Sequence, residues 1–158
     1  MIAIDLPDEA ATAALAAQIA ALARTGDVIA LKGELGAGKT SFARAFIHSL
    51  GETGEVPSPT FTLVQVYPLT GATVWHFDGY RLRDPDEAWE LGIEEAFPAG
   101  ISLVEWPERF GALIPPRRLE IALLPGNAAS ARRAVLDPGD DAGGGWAARL
   151  AAIAERQI

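Results

Sequence analysis

Eight residues, Gly33 to Thr40, have the types and the spacing that bind phosphate in proteins. They read GELGAGKT and fit the pattern G-x-x-x-x-G-K-[ST] at every fixed position. Glycines let successive backbone N–H groups turn inward around phosphate oxygens. A lysine at this position reaches the β- and γ-phosphates, and the hydroxyl that follows it binds Mg²⁺. The segment predicts a phosphate-binding loop (P-loop), whose candidate nucleotide contacts are Glu34, Leu35, Gly36, Ala37, Gly38, Lys39, Thr40 and Ser41.

The segments on either side of this loop supply the elements that a P-loop needs. Val28 to Leu31 form a short apolar run that predicts a buried strand. Apolar residues recur at helical spacing from Lys39 to about Leu50, and Gly51 is expected to end that helix. The positive end of the helix would then face the phosphates. This context favours a nucleotide site over a structural glycine-rich turn.

Two acidic residues follow apolar runs that predict strands elsewhere in the chain. Asp78 ends the run VWHFD, and Glu105 ends the run ISLVE. Because ligands of open α/β sheets collect at the carboxyl ends of the strands, we expect both acids to lie at the P-loop. A P-loop enzyme needs a carboxylate for the magnesium shell or for positioning the attacking water, and the sequence leaves open which acid does which. The candidate catalytic residues are Lys39, Asp78 and Glu105, and the candidate magnesium ligands are Thr40, Asp78 and Glu105.

Three neighbours of these acids allow more than one interpretation. His76 lies two residues before Asp78, and we expect it to be a packed strand residue rather than a catalytic one. Trp106 follows Glu105 and either caps the core or contacts a nucleotide or a partner. Arg81 either stabilises charge at the site or pairs with Asp84 on the surface, and we favour the surface role.

The remaining segments predict an α/β fold in which a mixed parallel and antiparallel central sheet is flanked by helices. With no internal repeat and no long linker, residues 1–158 are expected to form a single P-loop domain, of which 134–158 are a C-terminal extension. Asp84, Pro85 and Glu87 fit the first positions of a helix that reaches Leu91. The other predicted elements are helices over 8–25 (with Gly26 as its C-cap) and 146–158, strands over 61–68, 72–82 and 100–106, and a hairpin of 118–124 with 131–137.

The composition excludes several classes of protein. The chain has no cysteine, which excludes a disulfide framework, a thiolate zinc site and a cysteine nucleophile. Its only asparagine, Asn127, precedes alanine, which excludes the guanine-reading N-K-x-D motif. No apolar run is long enough to span a bilayer, so we expect a cytoplasmic protein without membrane contact. The net charge of −8 argues against unaided binding of nucleic acid.

Four ordered segments together resemble the TsaE family, also called YjeE. They are GELGAGKTSFARAF, SPTFTLVQVY, HFDGYRL and LVEWPERF, and the similarity covers about residues 8–125. The resemblance implies a single-domain P-loop ATPase that uses ATP and Mg²⁺ and is weakly active alone, where we expect a monomer. It also implies work with the proteins TsaD and TsaB in making threonylcarbamoyladenosine next to the anticodon of certain tRNAs. There ATP hydrolysis would reset the complex between turnovers, and the tRNA would be held by the partners.

The resemblance also assigns roles to individual residues. Lys39 and Thr40 match the phosphate and magnesium residues, Asp78 and Glu105 match the family's functional acids, and Trp106 is the aromatic residue beside the second acid. Thr60, in the stretch VPSPTFT, lies where a switch-like loop would sense the γ-phosphate or magnesium. Gly79 stands where the family often has a larger apolar residue, which predicts a looser strand end.

Two other functions are compatible with a P-loop of this kind. A small-molecule kinase would transfer phosphate to an acceptor and usually carries an arginine-rich lid, and the arginines of this chain show no such cluster. A nucleotide-gated binding module would bind ATP with negligible catalysis. The products of the reaction would distinguish a kinase from an ATPase. Loss of turnover in Glu105→Ala would distinguish an ATPase from a nucleotide-gated binding module.

Overall fold

The computed structural model describes residues 1–139 and 145–155, and its strands form one mixed sheet. The strands are β1 (Ile2–Leu6), β2 (Val28–Lys32), β3 (Val64–Pro68), β4 (Thr73–Asp78), β5 (Ile101–Glu105), β6 (Leu119–Pro125) and β7 (Arg132–Asp137). Within the described residues their order is β1-β7-β6-β2-β5-β4-β3. The four central strands β6, β2, β5 and β4 are parallel, and β7, β1 and β3 pair antiparallel at the two sides. The predicted mixed α/β sheet is confirmed.

Helices cover both faces of this sheet. They are α1 (Glu9–Leu22), α2 (Lys39–Ser49), α3 (Ile93–Ala99) and α4 (Trp146–Glu155), together with 3-10 helices over Pro85–Leu91 and Pro107–Leu113. The apolar sides of α1, α2 and α4 pack in one core cluster with one face of the sheet, and α3 and the 3-10 segments pack in a second cluster on the other face. No helix among the described residues is long and apolar enough to cross a membrane.

The buried strand β2 and the helix α2 lie where the sequence predicts them, and so does the hairpin of β6 and β7. The predicted face of the terminal helix is also confirmed, because Trp146, Leu150 and Ile153 are all buried. The last predicted residues of that helix, 156–158, and residues 140–144 of the loop before it lie outside the described residues.

Several predicted boundaries are wrong. Helix α1 ends at Leu22 with Ala23 as its C-cap, and Gly26 instead donates its N–H to the carbonyl of Gly100. The strand predicted over 61–68 begins only at Val64, because the chain turns at the preceding residues. The strand predicted over 72–82 ends at Asp78, and the one predicted over 100–106 is Ile101–Glu105.

The helix predicted from Asp84 to Leu91 has the predicted start but another geometry. Asp84 is its N-cap and accepts from the backbone N–H of Asp86, as the sequence pattern implies. The segment is a 3-10 helix, and it stops at Gly92, beyond which α3 begins. Helix α3, strand β1 and the 3-10 helix over Pro107–Leu113 are elements that the sequence analysis did not predict.

Candidate active site

The P-loop connects the end of β2 to the start of α2, so the sheet fixes one end of it and the helix the other. Gly38 is the N-cap of α2 and has a φ of 100°, a left-handed conformation that a side chain would strain. The first turn of α2 leaves backbone N–H groups without helical partners, and such groups bind anions. The local geometry therefore suits the phosphate contacts that the sequence predicts here.

Lys39 is folded back onto its own loop. Its Nζ donates to the carbonyl oxygens of Gly33 at 2.6 Å and Glu34 at 2.9 Å, and it lies 4.3 Å from the centre of the Trp106 ring. Burial lowers the pKa of Lys39 below its ordinary value of 10.5, while the nearby carboxylates of Glu105 and Asp78 oppose this shift. A buried ammonium group whose partners are carbonyls and a ring is a ready site for phosphate.

The two predicted acids lie side by side. Asp78 and Glu105 are register partners at the ends of the neighbouring parallel strands β4 and β5. Thr40, at the start of α2, donates its hydroxyl to the Glu105 carboxylate at 2.9 Å (Oε1) and 3.1 Å (Oε2). Glu105 therefore contacts Thr40 directly and Asp78 lies beside it, as their positions at strand ends imply, and which acid takes which role stays open.

Asp78 carries a different set of partners from Glu105. Its Oδ2 accepts from the Thr60 hydroxyl at 3.1 Å, and its Oδ1 accepts from the backbone N–H of Tyr80 at 2.9 Å. The hydroxyls of Thr60 and Ser58 are 2.8 Å apart. Thr60 thus meets a candidate catalytic acid from a loop that is separate from the P-loop.

Trp106 adopts a left-handed backbone conformation directly after Glu105, with a φ of 55° and a ψ of 53°. Such a conformation is costly for a bulky residue, and it is seen most often at functional sites. It places the indole ring beside Lys39 and 5.1 Å from the ring of Tyr80. A nucleotide contact by Trp106 remains compatible with this position.

A cavity of about 690 Å³ lies above these residues. Most of the predicted nucleotide-binding residues line it, namely Leu35, Gly36, Ala37, Gly38, Lys39, Thr40, Ser41, Thr60 and Trp106, and so do Asp78 and Glu105. Glu34 is not among the lining residues, and its part in the loop is the carbonyl that accepts from Lys39. Arg81 lies outside the lining too, with its guanidinium 4.4 Å from the centre of the exposed Phe61 ring.

Three side chains that line the cavity carry oxygen donors of the kind that Mg²⁺ binds. Thr40 offers a hydroxyl, and Glu105 and Asp78 offer carboxylate oxygens, which are the hard ligands that Mg²⁺ takes at nucleotide sites. The part of the chain that the structure describes has no group of three or more His, Cys, Asp or Glu side chains that could hold a metal by themselves. In nucleotide-binding proteins the phosphates complete the magnesium shell.

Two residues make contacts that the sequence analysis did not predict. His76 is fully buried, as expected for a packed strand residue, but its Nε2 also lies 2.6 Å from Oε2 of Glu105. Arg132, at the start of β7, donates to the P-loop carbonyls of Ala37 at 2.7 Å and Gly36 at 2.9 Å. Arg132 braces the loop from a strand more than ninety positions away, so no local pattern points to it.

Gly79 corrects one expectation. A looser strand end was predicted at this glycine, but its N–H donates to the carbonyl of Glu105 at 2.9 Å. A Cβ at this position would lie 2.8 Å from the carbonyl oxygen of Trp106 and 3.2 Å from atoms of Arg109 and Phe110. The strand end is tightly packed, because Trp106 and the 3-10 helix that follows it approach Gly79 closely.

Comparisons with known proteins show the family to which this chain belongs. A family model described as threonylcarbamoyl adenosine biosynthesis protein TsaE matches residues 6–134. The chain belongs to the TsaE family. The TsaE protein of Rickettsia felis is 42% identical over 119 residues, which are 75% of this chain and 70% of that protein. The TsaE protein of Bacillus subtilis is 42% identical over 118 residues, 74% of this chain and 72% of that protein.

The fold agrees with the same family. The crystal structure of YdiB from Bacillus subtilis superimposes on 99% of this chain and 96% of its own, with a TM-score of 0.80 and 28% sequence identity. Both TsaE relatives are named as tRNA threonylcarbamoyladenosine biosynthesis proteins. The resemblance of the four sequence segments to TsaE is therefore confirmed.

Proposed function

We propose that this chain is an Mg²⁺-dependent ATPase of tRNA threonylcarbamoyladenosine biosynthesis. One observation carries the proposal: the P-loop, the Thr40 hydroxyl and two register-paired carboxylates line a single cavity. Membership of the TsaE family supplies the biosynthetic context. The cavity of about 690 Å³ falls in the range of small-molecule sites.

In this proposal each residue does one task. Lys39 leaves the carbonyls of its loop and neutralises charge on the β- and γ-phosphates. Thr40 and a carboxylate hold Mg²⁺, which supplies charge neutralisation when bound. The remaining carboxylate positions the attacking water, and the ring of Trp106 covers Lys39.

We further propose that the chain acts with TsaD and TsaB and resets their complex between turnovers. A small acidic protein suits this arrangement, because the net charge of −8 disfavours direct contact with tRNA. Its partners would hold the tRNA. Weak hydrolysis alone and faster hydrolysis in the complex follow from this proposal.

The first test is ATP binding measured by titration calorimetry in the presence of Mg²⁺. Lys39→Ala is expected to lose ATP binding or turnover, because it removes the ammonium group that meets the phosphates. Lys32→Ala is the matched control, because Lys32 is the only other lysine and pairs with Glu120 outside the cavity. Binding and hydrolysis by Lys39→Ala equal to those of the wild type would refute the nucleotide site.

The products of a reaction with ATP separate the alternatives. Inorganic phosphate and ADP, with no phosphorylated acceptor, support an ATPase. A phosphorylated small molecule would support a kinase instead. Tight ATP binding with no phosphate release, even in the presence of TsaD and TsaB, would support a nucleotide-gated binding module.

A further inference from the structure

We infer that His76 is a positioning residue, which holds the Glu105 carboxylate in the orientation that the proposed ATPase needs. The inference rests on that proposed function. Oε2 of Glu105 lies 2.6 Å from Nε2 of His76, and Oε1 lies 2.9 Å from the Thr40 hydroxyl. The Thr40 hydroxyl also lies 3.1 Å from Oε2, so His76 and Thr40 contact the carboxylate from two directions and together restrict its rotation.

Burial makes the contact between His76 and Glu105 strong. His76 is 0% exposed and Glu105 is 3% exposed. A buried carboxylate is costly unless donors satisfy it, and a hydrogen bond to a charged group is short and strong in such surroundings. The hydrogen bond with His76 therefore offsets part of the cost of burying the Glu105 carboxylate.

His76 and Thr40 contact Glu105 from different elements. His76 lies opposite Leu103 in the parallel pair of β4 and β5, two residues before the pair of Asp78 and Glu105. Thr40, by contrast, belongs to the junction of loop and helix that meets the ligand. The contact from His76 to Glu105 therefore does not depend on the element that meets the ligand.

The inference requires one tautomer of His76. Among the described residues Nδ1 of His76 has no hydrogen-bond partner, and it is buried. For Nε2 to donate to the Glu105 carboxylate, the hydrogen of the ring must lie on Nε2. The ring makes one polar contact in the described structure, and that contact is the candidate catalytic acid.

The kinetic test compares His76→Leu, which removes the donor, with His76→Gln, whose side-chain amide can replace it. His76→Leu is expected to lower kcat for ATP hydrolysis roughly 10- to 100-fold, as loss of an orienting partner does at metal sites, with little change in KM. His76→Gln is expected to restore most of kcat. Ser102→Ala is the control for loss of a buried polar atom, because Ser102 is 0% exposed and lies on the neighbouring strand.

A spectroscopic test does not depend on hydrolysis. The chain has two histidines, so ¹⁵N NMR of the ring nitrogens can be assigned with His48→Asn. We expect His76 to be fixed as the Nε2–H tautomer in the wild type and in Ser102→Ala, and to lose this fixed signature in Glu105→Ala. An Nδ1–H tautomer, or a signature unchanged by Glu105→Ala, would overturn the inference.

The two tests separate the inference from the proposed function. If wild-type kcat is measurable and a folded His76→Leu variant keeps it, the positioning role is wrong while the ATPase stands. If the wild type hydrolyses no ATP alone or with TsaD and TsaB, the proposed function is wrong, and the NMR result still decides whether His76 holds Glu105.

Discussion

The two acids of the cavity are equally buried but are held by different parts of the molecule. Glu105 is 3% exposed and is fixed by His76 from a strand and by Thr40 from a helix. Asp78 is 4% exposed, yet one of its two hydrogen-bond partners is Thr60, which belongs to the loop 55–63. Both acids end strands of the sheet, but only Asp78 is also held by a loop. We call Glu105, with its partners His76 and Thr40, the Glu105 wall of the cavity, and Asp78, with its partner Thr60, the Thr60 wall.

The loop of the Thr60 wall also differs from the Glu105 wall in exposure and backbone conformation. The loop beside Thr60 carries the 80% exposed side chain of Phe61 and turns through Leu63 with a φ of 68°. Switch segments of other P-loop proteins are ordered by γ-phosphate and magnesium and are released when phosphate leaves. We expect the conformation of the loop around Thr60 to depend on the bound nucleotide. We expect the contacts of Glu105 to stay the same in every nucleotide state.

Gly79 lies where the two walls meet, and it gives the largest expected effect on stability. Gly79→Ala places a Cβ 2.8 Å from the backbone oxygen of Trp106, which cannot move away as a side chain would. We expect a loss of about 1 to 3 kcal/mol in the free energy of unfolding, measured in urea. Gly71→Ala is the control, because a Cβ there meets nothing within 4 Å. Equal stability of the two variants would show that the walls are not packed together at Gly79.

Thr60→Ala is expected to have a smaller effect, on phosphate release, and it tests the contribution of the Thr60 wall apart from that of the Glu105 wall. It removes one hydrogen bond to Asp78 and leaves the contacts of Glu105 unchanged. A single hydrogen bond of this kind is worth about 0.5 to 1.5 kcal/mol, so phosphate release should fall roughly 2- to 10-fold. Thr70→Ala, in the exposed turn between β3 and β4, is the control. If hydrolysis and partner binding in Thr60→Ala equal those of the control, the loop is not a switch.

Sequence patterns correctly predicted the elements that are determined by residues close together in the chain. The apolar run of β2, the loop glycines and the helical spacing of α2 lie within about twenty residues of one another. Strand β1 has only five residues, four of them apolar, and it pairs with β7, which lies more than a hundred residues away. Helix α3 has seven residues and contains Pro98, which weakens its local pattern.

The same limit applies to the site: residues marked by a local pattern were predicted, and contacts between distant segments were not. Asp78 and Glu105 each end an apolar run, and this local feature was enough to bring them to one edge of the sheet. The contact of His76 with Glu105 depends on the register between β4 and β5, and the brace from Arg132 depends on the packing of β7 beside the P-loop. A short stretch of sequence determines neither the register between two strands nor the packing of one strand beside a loop.

Phosphate release from ATP by the wild type and Glu105→Ala, alone and with TsaD and TsaB, tests the central claim most directly. Glu90→Ala is the matched control, because Glu90 is exposed and does not line the cavity. We predict weak release by the wild type alone, faster release with the partners, and a loss of roughly 10²- to 10⁴-fold in Glu105→Ala. Phosphate release that responds neither to the partners nor to Glu105→Ala would contradict the account.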